Sequence, residues 1–135
     1  MIALLVILLT LLSPGLAEAT TVYANASLGS DANSCLTATL PGASAKATIG
    51  GASGCLSAPG DKAIIQDGTY VSGGLNFTFN GAAGNPIIIQ AENRRLAILS
   101  STSECNPGIG LSGDYIRVDG LRFRTSASNP GCGTP

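Results

Sequence analysis

Three short apolar stretches, each launched from a polar turn, recur along the chain: Lys62-Ala-Ile-Ile-Gln-Asp67, Pro86-Ile-Ile-Ile-Gln-Ala91 and Asp114-Tyr-Ile-Arg-Val-Asp119. Their first isoleucines, Ile64, Ile87 and Ile116, lie 23 and 29 residues apart. Strands recurring at such a period predict stacked coils rather than a sheet closed by hairpins. Each coil then buries its apolar face only against its neighbours. The chain has room for about three coils, the smallest number that makes a stable repeat array.

Around these stretches the pattern predicts further elements. Thr21-Val-Tyr-Ala24 reads as a short strand, followed by a loop rich in Asn, Gly, Ser and Asp. Ala43 to Leu56 predicts a helix, with Ile49, Ala52 and Leu56 near helical spacing. Gly50, Gly51 and Gly54 each weaken it by about 1 kcal/mol relative to Ala. Such a helix needs an apolar surface to lie on, and the end of a stacked core, which requires a cap, is the place for it. After the Pro59-Gly60-Asp61 turn, Ala63 and Ile65 share one face while Lys62, Ile64 and Gln66 share the other. Leu75, Phe77 and Phe79 alternate with Asn76 and Thr78 as a half-buried strand. Pro86 suits a strand's first residue, and Arg94-Arg95 marks a solvated corner before Leu96 to Leu99. Ile109 and Leu111 form a short apolar patch. Ile116 and Val118 face one way, Tyr115, Arg117 and Asp119 the other. After a bend at Gly120, Leu121 and Phe123 carry the apolar face and Arg122 and Arg124 point out. From Thr125 onward Ser, Thr, Asn, Pro and Gly dominate with no further strand, so the array is expected to present an open end covered either by a partner or, as favoured, by further coils of a longer parent chain.

Ile2 to Leu12 is an apolar run too short to span a membrane, broken by Ser13-Pro14-Gly15. Ala17-Glu18-Ala19 supplies the small residues of a signal-peptidase cut, so 1–19 reads as a signal peptide and the mature chain as the 116 residues from Thr20. A positively charged n-region is missing, and the competing reading is a membrane anchor left uncut. Removing Glu18 leaves seven acids against seven bases, a net charge of zero that argues against nucleic acid or an anionic membrane as partner. Export favours disulfides, and the chain has four cysteines, Cys35, Cys55, Cys105 and Cys132. Four cysteines allow three pairings; sequence neighbourhood favours Cys35–Cys55 and Cys105–Cys132. With no CxxC and no His, no zinc site is expected and the cysteines read as structural. The expected organisation is a cap region over 20–61, coils over 62–124 and a loop over 125–135.

In order, Tyr23 with Gly29-Ser-Asp-Ala-Asn-Ser-Cys35, then Ala47-Thr-Ile49, Cys55-Leu-Ser-Ala-Pro-Gly-Asp61 and Asp67-Gly-Thr-Tyr70 resemble the opening of secreted right-handed parallel β-helix proteins. Gly84-Asn-Pro-Ile-Ile-Ile-Gln-Ala91 looks like the second coil and Ser112 to Phe123 like the third. The family is the pectate-lyase-like superfamily, which includes polysaccharide lyases and glycoside hydrolases, and the resemblance covers about residues 22 to 124. It implies an all-β solenoid, a right-handed parallel β-helix of about three coils with a short amino-terminal capping helix pinned by Cys35–Cys55. Its catalytic members usually carry the active groove on later coils, so the resemblance assigns no catalytic residue on this chain and implies that this stretch alone is inactive.

A lyase of acidic sugars needs a base beside the uronate carboxylate and a cation, Ca²⁺ or Arg, to neutralise it. Arg117, Arg122 and Arg124, read as outward on one strand, are the glycan-facing candidates, against the plainer reading of a solvated coil surface. Asp67, Asp114 and Asp119 are conceivable Ca²⁺ ligands, but each adjoins a glycine and turn geometry explains them more simply. No cofactor site is therefore expected on this chain, and Ca²⁺ belongs to the full-length parent if anywhere. Glu92 and Glu104 have no partner carboxyl that the pattern identifies, so a hydrolase pair is not read. The Gly50-Gly51 and Gly73-Gly74 pairs lack the context of a phosphate loop, and Asn25 and Asn76 head glycosylation sequons that matter only in a eukaryotic source. The expected function is the amino-terminal part of a secreted β-helix protein that acts on or binds polysaccharide, the parent being a polysaccharide lyase. The alternative is a non-catalytic surface or adhesion solenoid.

Overall fold

The computed structural model describes residues 18–101 and 108–125. Among these residues nine strands follow one another: Thr21–Ala24 (β1), Lys62–Ile65 (β2), Gly68–Ser72 (β3), Leu75–Phe77 (β4), Ile87–Ala91 (β5), Ala97–Ser101 (β6), Ile109–Leu111 (β7), Ile116–Asp119 (β8) and Arg122–Thr125 (β9). They form three sheets, ordered β1-β2-β5-β8, β3-β6-β9 and β4-β7. Every strand pair is parallel. Each coil visits the three sheets in turn, β2-β3-β4 and then β5-β6-β7, with β8-β9 opening a third. This is a parallel β-helix, right-handed as parallel crossovers are.

The pairing corrects the register suggested by the first isoleucines. Lys62 pairs with Ile88 and Ile88 with Arg117, giving steps of 26 and 29 residues. Ile64 therefore stacks on Gln90, not on Ile87, and points outward. The slip is three residues, an odd number, and so it exchanges the inner and outer faces. Ile87 does stack on Ile116.

The inner face is built from columns. Val22, Ala63, Ile89 and Val118 stack in one, and Ala24, Ile65 and Ala91 in the next. Tyr70, Leu99 and Phe123 form a column in the second sheet. Val22, Ala63, Ile65, Ile87 and Ile89 are wholly buried. Burying the valine or one of the isoleucines contributes about 1.5–3 kcal/mol. Phe77, at the end of β4, stacks on Phe79 with ring centroids 5.4 Å apart. At the far end Ile116 and Val118 are only half-buried and Phe123 is 49% exposed.

The cap is less helical than expected. Only Ile49–Ser53 (α1) is α-helix; Gly42–Ser44 is a single 3₁₀ turn, and Ala45 at its end is extended. Lys46 forms a parallel bridge to Ala24, which keeps the segment before the helix extended along β1. Ile49, Ala52 and Leu56 are buried as the spacing requires, and α1 packs on β1 and β2, closing the start of the core. Cys35 and Cys55 are disulfide-bonded with Cα atoms 5.4 Å apart, tying the loop after β1 to the end of the helix. The expected Cys105–Cys132 pairing lies outside the described residues.

Candidate functional site

Alternation along the strands sends every second side chain of the first sheet outward, and parallel pairing sets those side chains in rows across the coils. Thr21, Lys62, Ile88 and Arg117 form one row; Tyr23, Ile64, Gln90 and Asp119 form the next. A third row begins at the strand ends. There the Asn25 amide donates to Gln66 Oε1 at 3.0 Å, and the Gln66 amide donates to both Glu92 carboxylate oxygens at 3.4 Å. Beyond it, Asn93 donates to the Asp67 carboxylate at 3.1 Å and 3.3 Å. The corner between the first and second sheets is thus a ladder of amides and carboxylates stitching one coil to the next.

The three candidate arginines do not share a strand. Arg117 lies on β8 in the first sheet, whereas Arg122 and Arg124 lie on β9 in the second. Gly120, with φ +72°, makes the bend between them; that left-handed conformation suits glycine because a Cβ would crowd the following peptide. Arg117 Nη2 donates to Asp119 Oδ2 at 3.1 Å, and Arg94 Nη2 approaches Asp119 Oδ1 at 3.7 Å. Asp119 is therefore held between two cations. Arg122 and Arg124 are exposed and form no ion pair among the described residues. Two positions apart on one strand, they share a face, with Cα atoms about 7 Å apart.

The aspartates do not converge. Asp67 is occupied by Asn93, Asp119 by the two arginines, and the Asp114 amide donates to Asn80 Oδ1 at 2.8 Å on the opposite corner. Among the described residues no group of three or more His, Cys, Asp or Glu could hold a metal ion. Glu92 meets Gln66 rather than a second carboxylate, and Glu104 lies outside the described residues.

Several polar residues with firm structural roles carried no signal in the periodicity. Asp31 Oδ1 accepts the Ala47 and Thr48 amides at 3.0 and 3.1 Å, and Oδ2 accepts the Thr48 hydroxyl at 2.9 Å. Thr48 in turn caps α1 by accepting the Gly51 amide at 2.8 Å. Lys46, 8% exposed, donates its ammonium to the Asp31 and Asn33 carbonyls. The Tyr70 hydroxyl, inside the coil, is pushed up to about 12, first by burial, with the charges of Asp67 and Glu92 adding to the effect. A cavity of 130 Å³ lies between the cap and the second sheet, lined by Thr48, Ile49, Tyr70, Val71, Leu75 and Leu99 among others; it contains none of the charged candidates.

The outer surface therefore offers Lys62, Arg117 and Asp119 over the first sheet and, over the second, Arg122 and Arg124, which make no ion pair among the described residues. The sequence model of the chondroitinase B family matches residues 55–131, more than half of the chain. No curated protein and no solved structure matches.

Proposed function

The chain belongs to the chondroitinase B family, and from that premise we propose that it is the cap and first coils of a secreted β-helix protein that cleaves an acidic, chondroitin-type polysaccharide by elimination. Elimination needs a base to remove the proton beside the uronate carboxylate and a cation to stabilise the charge that develops there. The described coils supply cations on their outer face, but the carboxylate that meets them, Asp119, is already held by Arg94 and Arg117 and so is poorly suited to act as that base. In this reading the described coils contribute binding, and the reacting groups stand on coils stacked beyond β8 and β9. The half-buried Ile116 and Val118 and the exposed Phe123 support that placement, since they offer further coils an apolar edge. Arg122 and Arg124 are the residues we assign to the anionic glycan, with Arg117 secondary because Asp119 already offsets its charge. The reading rests above all on the family match across both coil boundaries.

Incubation with chondroitin, pectate and alginate, followed by absorbance of the unsaturated product and by equilibrium binding, tests it. The expected result is salt-sensitive binding of chondroitin with no turnover. Turnover by this chain alone would overturn the division of labour between coils. Absence of binding to all three glycans would overturn the polysaccharide reading and leave the surface solenoid.

A further inference from the structure

Asp61 ends the turn before β2 and is 2% exposed. Its Oδ2 accepts the Ser57 and Ala58 amides, each at 2.8 Å, and its Oδ1 accepts the Thr20 amide at 2.7 Å. The Thr20 carbonyl accepts the Lys62 amide at 2.8 Å, so Thr20 is held from both sides where β1 begins. All three hydrogen bonds to the carboxylate come from neutral peptide groups, and among the described residues Asp61 has no cationic side chain within ion-pair distance. A buried carboxylate normally has a counter-charge, because peptide dipoles only partly replace the water it has lost. Thr20 is also the residue that follows Ala17-Glu18-Ala19, and Glu18, Ala19 and Thr20 are all exposed.

We propose that hydrolysis of the Ala19–Thr20 peptide bond creates the missing counter-charge: the new α-ammonium of Thr20 forms an ion pair with buried Asp61. Water, delivered by a peptidase of the export machinery, adds across the bond. Ala19 leaves with the carboxylate, and the Thr20 nitrogen gains protons and a positive charge without moving from its partner. Processing then does more than remove a leader. It completes the first strand's attachment to the cap. The inference rests on reading 1–19 as a signal peptide, and the two parts are separable by experiment.

The charges that could compete are few. Lys62 follows Asp61 on β2 and Glu18 precedes the junction, but the 56–60 segment has no titratable residue, and β5 brings only Ile87 and Ile88 alongside. The test begins with mass spectrometry of the protein exported from the full-length precursor, which is expected to start at Thr20; any other start overturns the proposal. The mature protein is then compared with one carrying a single alanine ahead of Thr20, which keeps the Thr20 N–H but moves the ammonium away. The mature form is expected to have an unfolding equilibrium constant roughly five- to tenfold smaller at pH 6. Pairing raises the pKa of the ammonium above the ordinary 7.7–8.0 or so of a free α-amino group. The advantage is therefore full below that range and lost as pH rises through the folded-state value, so the gap closes by about pH 10. In Asp61→Asn the gap should vanish at pH 6 as well. A correct Thr20 start with equal stability of the two forms at pH 6 would overturn the ion pair while leaving the signal-peptide reading intact. A gap that persists unchanged at pH 10 would also overturn it.

Discussion

The Tyr70 hydroxyl donates to the Ala24 carbonyl at 2.9 Å, joining residues 46 apart in sequence across the inside of the first coil. It shares its proton with the Gln66 carbonyl at 2.8 Å, so one phenol closes both the end of β1 and the corner after β2. The ring sits in the column with Leu99 and is 3% exposed.

Burial raises the folded-state pKa of Tyr70 from 10.0 to about 12. The unfolded chain therefore ionises first as pH rises. This contribution to stability is complete below pH 10 and is lost between about pH 10 and 12, amounting to about 2–3 kcal/mol. Urea midpoints across that range should fall by that amount in the natural protein. Tyr70→Phe should lose about 1 kcal/mol at neutral pH and lack this alkaline loss. A phenolate absorbance step near pH 12 that survives in Tyr70→Phe would show that another residue is responsible.

The Cys35–Cys55 bond closes a separation of 20 residues. Replacing both cysteines with alanine should cost about 3 kcal/mol through the freed loop entropy of the unfolded chain. Chemical denaturation of the variant, alongside non-reducing peptide mapping of the natural protein, checks the value and the pairing together. Recovery of Cys35 and Cys55 as free thiols from the natural protein would refute the bond.

Gly51→Ala should behave against helix propensity. An exposed helix usually gains about 1 kcal/mol from this change, but here a Cβ would strike the Asp31 carboxylate. That carboxylate cannot retreat without releasing the Ala47 and Thr48 amides. We expect a loss of about 2 kcal/mol, and a similar loss for Asp31→Ala. The double variant should cost clearly less than the sum, because removing Asp31 removes the clash. Strict additivity in thermal melts would argue against this contact.

Arg122→Ala with Arg124→Ala should weaken chondroitin binding roughly tenfold at low salt, and the difference should shrink as salt rises. Arg117→Ala should have a smaller effect, since Asp119 offsets that guanidinium in the unbound protein. Titration calorimetry at two salt concentrations separates these outcomes. Equal losses for Arg117 and for the β9 pair would mean that the first sheet carries the glycan.

Much of this was legible from alternation alone. The inward pair Ala63 and Ile65, and the opposed faces of β8, follow from a period of two. The coil register was not, because β5 begins Ile87-Ile-Ile89 and an unbroken apolar run does not indicate which residue faces inward. Alanine at 63 hid the matching inward position, so the eye aligns Ile64 instead. The helix is shorter than its spacing implies for a similar reason: Ala43 to Leu56 has helical spacing, but Lys46 bonds to β1 and holds the preceding backbone extended. Arg117, Arg122 and Arg124 looked like one stripe until the bend at Gly120 divided them between sheets. Asp31 and Asp61 read only as loop and turn residues, because nothing local shows that their carboxylates gather amides from distant segments.

The steps between stacked residues are uneven: 41, 26 and then 29 residues in the first sheet, 29 from Gly68 to Ala97 and 24 from Ile98 to Arg122 in the second, and 34 from Leu75 to Ile109 in the third. The strands nevertheless stay in register, so the corners absorb every difference in length. Architecture and surface are thereby separable in this chain. A lineage can rewrite a corner, adding or removing several residues of new chemistry, without disturbing a single column of the interior. A scaffold of this kind can change the length and chemistry of its corners while its hydrophobic interior stays the same.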